Sequence, residues 1–203
     1  WDLGYLGTYS PDRQPALETL LIEPARLRPD LRFVVAGPQY PTHIDWPQNV
    51  ERIEHLPPAA HAQFYARQRF TLNVTRADMV AAGWSPSIRL FEAAACGAPV
   101  ISDVWEGLDQ LFTPDQEILL ARDSEDVIAA LQSEAAVARD MGLKARERIL
   151  TAHTPAHRAE TVERELLAAR ARGRGRTLPE AKDEAPMKSK TDPQTILVAG
   201  GAG

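Results

Sequence analysis

Between residues 85 and 103 the chain reads Ser-Pro-Ser-Ile-Arg-Leu-Phe-Glu-Ala-Ala-Ala-Cys-Gly-Ala-Pro-Val-Ile-Ser-Asp. These residue types, in this order, suit the capture of an anion followed by a hydroxylated group. Ser85 predicts an N-cap, and Pro86 at the first helical position gives up an amide hydrogen that the helix would leave unpaired anyway. The amides of Ser87, Ile88 and Arg89 would then point out of the helix end, at the positive end of its dipole, where a diphosphate is stabilised by both hydrogen bonds and charge. Arg89 and Arg76 would add planar, permanently charged forks. Glu92 falls about two turns into the predicted helix, beside Ala93, Ala94 and Ala95. A carboxylate there is costly unless it pairs or accepts hydrogen bonds, and two ribose hydroxyls would satisfy it. Gly97 ends the predicted helix, and Pro99 prevents its continuation before Val100-Ile101. The same residues also have a plain reading, since a helical Glu is ordinarily a solvated residue and Ser-Pro an ordinary helix start.

The elements that must position this segment follow from the alternation of short β-rich runs with helical patterns. The runs are 3–7, 32–36, 50–54, 70–74, 99–102 and 117–120, and helices are expected at 14–28, 60–68, 86–96, 105–112 and 124–132. Strands alternating with helices predict an α/β fold with a Rossmann-like parallel sheet covered by helices on both faces. Such sheets bind ligands outside the carboxyl ends of their strands, so the loops at 7–13, 37–46, 55–59, 75–86 and 103–107 carry the functional expectation. From 134 to 171 the pattern becomes one or two long Ala-, Arg- and Glu-rich helices, bent near Thr154-Pro155. His153 and His157 are spaced as a metal pair but lack a third ligand.

Composition narrows the class. Hydrophobic residues make up 44% of 203 and charged residues 25%, with a formal charge of -5. That balance gives no support to generic nucleic-acid binding. The single cysteine, Cys96, excludes an intrachain disulfide and a cysteine-based zinc site, and reads as a buried, inert thiol. No metal is expected. No run approaches a membrane span and no signal peptide is visible, so a cytoplasmic setting is expected.

Residues 172–194 differ in kind. Arg-Gly-Arg-Gly-Arg leads into a stretch poor in apolar residues that holds three of the four lysines, Lys182, Lys188 and Lys190. It reads as a flexible linker. The chain starts at Trp1 directly before a strand-like run and stops just after another, so both ends suggest a segment of something larger.

The segment from Leu3 to about Leu167 resembles the C-terminal, donor-binding half of GT-B glycosyltransferases, and is most similar to the spore-maturation, CgeB-like group. The motifs that carry the likeness are Gly4 to Arg13, Phe33 to Pro38, Asn73-Val74-Thr75-Arg76, Gly83 to Gly97 and Ile101 to Leu108. The resemblance implies a nucleotide-sugar-binding domain over residues 1–171 whose partner is a nucleotide-diphosphate sugar. It further implies an N-terminal acceptor domain on another segment, and little turnover without that domain. Phosphate contacts would come from Gly7, Thr8 and Arg13 after the first strand and from Ser87 and Ile88 at the helix start, with Ser85, Arg76 and Arg89 completing the expected donor-binding set. Glu92 would hold the ribose, and the base would rest near Leu56. In retaining relatives a second acid stands eight positions before the ribose glutamate. Here that position is Trp84, and no catalytic residue is assigned.

Two other readings stay open, a nucleotide-sugar epimerase of GT-B fold using Asp103 and Glu106, and a non-catalytic nucleotide-binding or scaffold module. The last nine residues, 195–203, resemble the first strand and glycine loop of an extended short-chain dehydrogenase or nucleotide-sugar epimerase. NAD would be a cofactor only of such a downstream module, and none is expected for the main domain.

Overall fold

The computed structural model describes residues 1–174. Six parallel strands form one sheet in the order β3-β2-β1-β4-β5-β6. They are β1 (Leu3–Leu6), β2 (Phe33–Ala36), β3 (Val50–Ile53), β4 (Phe70–Asn73), β5 (Val100–Ser102) and β6 (Leu119–Leu120). Register runs Leu3 against Phe33 on one side of β1 and Leu3 against Phe70 on the other. The chain therefore moves outward from β1 to β3, then returns to the far side of β1 for β4. That reversal opens a crevice at the carboxyl ends of β1 and β4, the place where open α/β sheets take ligands.

The central strands are buried on both faces. Leu3, Tyr5, Phe33, Val35, Phe70 and Leu72 pack into one cluster, which Leu17, Leu20, Leu21, Ile22, Val127 and Leu131 cover. Val34, Ala36 and Val100 belong to a second cluster with Phe64, Tyr65, Leu90, Ala93, Ala94, Phe112 and Ile149. Alternate residues of one strand thus feed opposite layers, which is why these strands are short, nearly continuous apolar runs.

The first helical run keeps its expected place but is not uniform. It comprises α1 (Gln14–Leu17), a π-helical segment Glu18–Ile22, and α2 (Glu23–Leu27). Next come a 3-10 turn at Pro58–Ala60, α3 (His61–Ala66), α4 (Ala77–Ala82), α5 (Ile88–Ala95), α6 (Leu108–Leu111), α7 (Ser124–Gln132), α8 (Ala135–Ala152) and α9 (Pro155–Arg174). Helix α4 lies inside the stretch expected to be a loop. It buries none of its residues, so it leaves no amphipathic period in the sequence. The bend expected near Thr154-Pro155 is the break between α8 and α9.

The chain divides into two compact units, Trp1–Thr161 and one that begins at Val162. In the second unit the described residues continue α9 to Arg174, past the boundary at 171 expected from composition. Residues 175–203, with most of the expected linker and the strand-glycine motif, lie outside the described residues. Among the described residues no helix is long and apolar enough to cross a membrane.

Candidate functional site

Three loops meet at the crevice, and each is fixed by identifiable bonds. The loop after β1 turns at Gly7, whose amide donates to Ala36 O at 2.8 Å and whose carbonyl accepts from Tyr40 Oη at 3.0 Å. Arg13 closes this loop by donating from Nη2 to Thr8 O at 2.6 Å, while Thr8 itself is exposed. Asp12 joins it to the next one: its carboxylate accepts from Ser10 Oγ and, at 3.2 Å, from the amide of Ala77 at the start of α4. The Ser10 hydroxyl holds the Asp12 carboxyl below its ordinary value. Arg76, just before α4, is exposed.

The start of α5 differs from expectation. Ser87, not Ser85, is the N-cap: its backbone is extended (φ -69, ψ 140) and its Oγ accepts from Arg89 N at 3.4 Å. The reason lies upstream. Trp84 sits at φ 55, its amide bonded to Glu106 O at 2.8 Å, and this turn delays helical geometry until after Pro86. Ser85, preceding a proline, is also disfavoured in helical conformation. The amides of Ser87 and Ile88 have no acceptor among the described residues and remain free for an anion. Gly97 ends the segment as expected, at φ 73 after Cys96.

Arg89 also departs from the open fork of the sequence reading. It is only 7% exposed and packs over Tyr5, 4.6 Å from the ring centroid. Its Nε donates to Leu6 O at 2.5 Å, and Nη1 donates to Asn73 Oδ1 at 3.0 Å and to Val74 O at 3.4 Å. Nη2 has no partner among the described residues and stands beside Gly7, 2.7 Å from where a Cβ on that residue would lie. Glycine is required there because the guanidinium and Tyr5 Oη occupy the side-chain space.

Glu92 is exposed, so the expected cost of burying its carboxylate does not arise. It lies with Trp84, Ile88, Phe91, Leu150 and His153 along an apolar groove of 650 Å³. Trp84 packs its indole on Gly107, where a Cβ would come within 2.6 Å of the ring. Leu56 is half-buried against the second core cluster. Cys96, expected to be buried, is exposed at the end of α5. The structure thus brings Arg89 beside Gly7 and Arg13 onto Thr8, and places Ile88 with Glu92 on the groove.

The sequence reading missed a buried polar cluster beneath the crevice. Asn73, Thr75 and Ser102 are at most 4% exposed. Asp103 accepts from Thr75 N at 2.8 Å through Oδ2 and from Thr75 Oγ1 at 2.9 Å through Oδ1. Burial pushes its carboxyl above the ordinary value, against the Thr75 bonds that pull it down. The signal was present as polar residues ending two apolar strands, Asn73 on β4 and Ser102 on β5.

His153 lies between the rings of Phe91 and Phe112, at centroid distances of 5.9 and 6.5 Å. Its Nδ1 is 2.7 Å from Arg158 Nη2, and a guanidinium only donates, so Nδ1 accepts and the ring is neutral. His157 turns instead to Thr154, Nδ1 to Oγ1 2.7 Å. Burial, then the Arg158 charge, push the His153 pKa below 6.5. The unfolded chain therefore binds the proton more readily, and stability should fall as pH drops below about 6.5. Urea midpoints across that range should show the fall in wild type and a shallower one in His153→Gln.

The comparisons agree with this architecture. The family model described as "Glycosyl transferase-like" matches residues 13–164. The chain belongs to this glycosyl transferase-like family. No curated protein matches it. Among solved structures it is similar to sucrose-phosphate synthase from Thermosynechococcus elongatus, with 20% identity and a TM-score of 0.65 over 83% of this chain and 46% of that one. It is also similar to the C-terminal domain of the group 1 glycosyl transferase LpcC from Francisella tularensis, with 15% identity and a TM-score of 0.58 over 76% and 87%. A third is Anabaena HepE in complex with UDP and glucose, with 17% identity and a TM-score of 0.54 over 71% and 42%. The chain thus spans less than half of the synthase and of HepE, and nearly all of the isolated LpcC domain. The domain has the Rossmann-like α/β fold of these structures.

Proposed function

We propose that this domain binds the donor of a glycosyl transfer, a nucleoside-diphosphate sugar, and that the acceptor is held largely by a second domain. One observation carries the reading. At the β1/β4 crevice the free Nη2 of Arg89 stands beside Gly7 as a fixed positive charge, and the α5 start that carries this arginine presents the unpaired amides of Ser87 and Ile88. Donors of this kind stabilise a diphosphate leaving group as negative charge develops on it. Glu92 would accept from the ribose hydroxyls, Leu56 would border the base, and Arg13 and Arg76 would add charge at the mouth. The UDP bound in HepE supports a nucleoside diphosphate as ligand.

The second domain is supported by the share of the synthase and HepE that this chain spans. Val162, Leu166 and Leu167 are more than half exposed on α9, an apolar stripe suited to a further protein surface. The domain alone would then bind nucleotide with little turnover. Within the family, the CgeB-like group is the assignment that the Gly4 to Arg13, Phe33 to Pro38, Asn73 to Arg76, Gly83 to Gly97 and Ile101 to Leu108 motifs together favour.

Calorimetry with UDP, ADP and GDP tests the reading. Wild type should bind at least one of them, and Glu92→Ala should weaken that ligand about tenfold, the worth of a hydrogen bond to a charged group. Equal affinity in the two proteins would remove the ribose role.

A further inference from the structure

We infer that Asp103 is a positioning residue for diphosphate binding, acting through Asn73 to aim the free nitrogen of Arg89; the inference rests on the donor-site reading above. Asn73 is fully buried at the end of β4, between a guanidinium and a carboxylate. Its Oδ1 accepts from Arg89 Nη1 at 3.0 Å. Its Nδ2 donates to Ser102 Oγ at 2.9 Å, Thr75 Oγ1 at 3.2 Å and Asp103 Oδ1 at 3.3 Å. Arginine only donates and an ionised carboxylate only accepts, so the amide fits this place in one orientation. A flipped amide would turn its NH2 on the guanidinium and its oxygen on the carboxylate.

That single orientation propagates to the crevice. The amide oxygen fixes Nη1, Leu6 O fixes Nε at 2.5 Å, and a planar guanidinium with two fixed nitrogens has no freedom left for the third. Nη2 is thereby held beside Gly7. No direct ion pair joins Arg89 to Asp103 among the described residues, so the carboxylate acts by holding the amide. Asp103 also holds Thr75 by backbone amide and hydroxyl, which fixes the chain between β4 and Arg76. The loops after β4 and β5 are locked to the arginine as one unit.

A cluster that served only stability would affect every ligand alike, whereas a device that aims Nη2 acts on the diphosphate. The experiment compares wild type, Asp103→Asn and Thr75→Val by ligand-detected NMR with UDP and uridine, ADP and adenosine, and GDP and guanosine. The 15N signal of the Arg89 Nε–H group is followed in the same samples. Asp103→Asn should weaken the bound diphosphate about tenfold and its nucleoside less than twofold, and its Arg89 Nε–H should exchange with solvent faster than that of wild type. Thr75→Val, which keeps the carboxylate, should move both readouts the same way by a smaller factor and covers failure of Asp103→Asn to fold. Unchanged diphosphate affinity, or equal losses for diphosphate and nucleoside, would overturn the inference. Wild-type protein that binds none of the three diphosphates would sink the donor reading, and the Arg89 signal would still show whether Asp103 holds the guanidinium.

Discussion

Gly37→Ala is expected to lower the stability of the domain by about 3 kcal/mol or more, the sum of backbone strain and overpacking against a rigid neighbour. Gly37 follows β2 with φ 143, a conformation that side-chain-bearing residues rarely adopt. A Cβ there would come within 2.1 Å of Gly7 O. That oxygen cannot retreat easily. Tyr40 Oη donates to it, and Tyr40 is held in turn by Arg52, whose guanidinium lies 4.1 Å from the Tyr40 ring centroid and 4.5 Å from that of Trp46. Arg52 also donates to Val35 O at 2.9 Å and Gly37 O at 3.2 Å, so both sides of the close approach are braced. Because the displaced atom belongs to the glycine turn at the crevice, nucleotide affinity should fall along with the urea midpoint. A loss under about 1 kcal/mol in urea unfolding would mean that the two loops do not approach as described.

This contact shows where sequence reasoning reaches and where it stops. The strands were legible because burial on both faces makes them apolar throughout, as in Phe33-Val34-Val35-Ala36, and because the helices between them keep a period. The crevice was legible too, since a parallel sheet puts its ligand loops at one end. What the sequence did not reveal depends on distance across the fold. Nothing in the order of residues says that Gly37 touches Gly7, 30 positions away, or that Asn73 stands between Arg89 and Asp103. The cap at Ser87 was missed because it depends on Trp84 taking a left-handed turn bonded to Glu106, which no local propensity favours for that residue. Glu92 shows the opposite error. Alanine neighbours suggest burial, but Ala93 and Ala94 lie on the buried face of α5 while Glu92 is exposed.

Arg89 should separate two roles that one side chain combines, and two substitutions divide them. In Arg89→Leu the carbonyl of Leu6 and the Oδ1 of Asn73 lose their donors in a buried setting, and Asp103 loses the cation that partly offsets its burial. Removing one member of a buried charged network costs about 3–5 kcal/mol, so this variant should unfold at much lower urea or fail to accumulate. Arg89→Lys keeps the charge, and a lysine ammonium can still donate to Leu6 O or to Asn73. It cannot span both and also reach Gly7, because it is a single point with no fork. The lysine protein should therefore fold with a loss of about 2 kcal/mol or less, yet bind the nucleoside diphosphate about ten- to a hundredfold more weakly, the worth of one charge-assisted hydrogen bond. Calorimetry and urea unfolding on the same preparation distinguish the outcomes. A lysine variant with wild-type affinity would mean that charge alone serves the diphosphate and that the direction of Nη2 is irrelevant. A lysine variant as unstable as the leucine one would mean that the bonds to Leu6 and Asn73, rather than the charge, are what hold the centre of the sheet together.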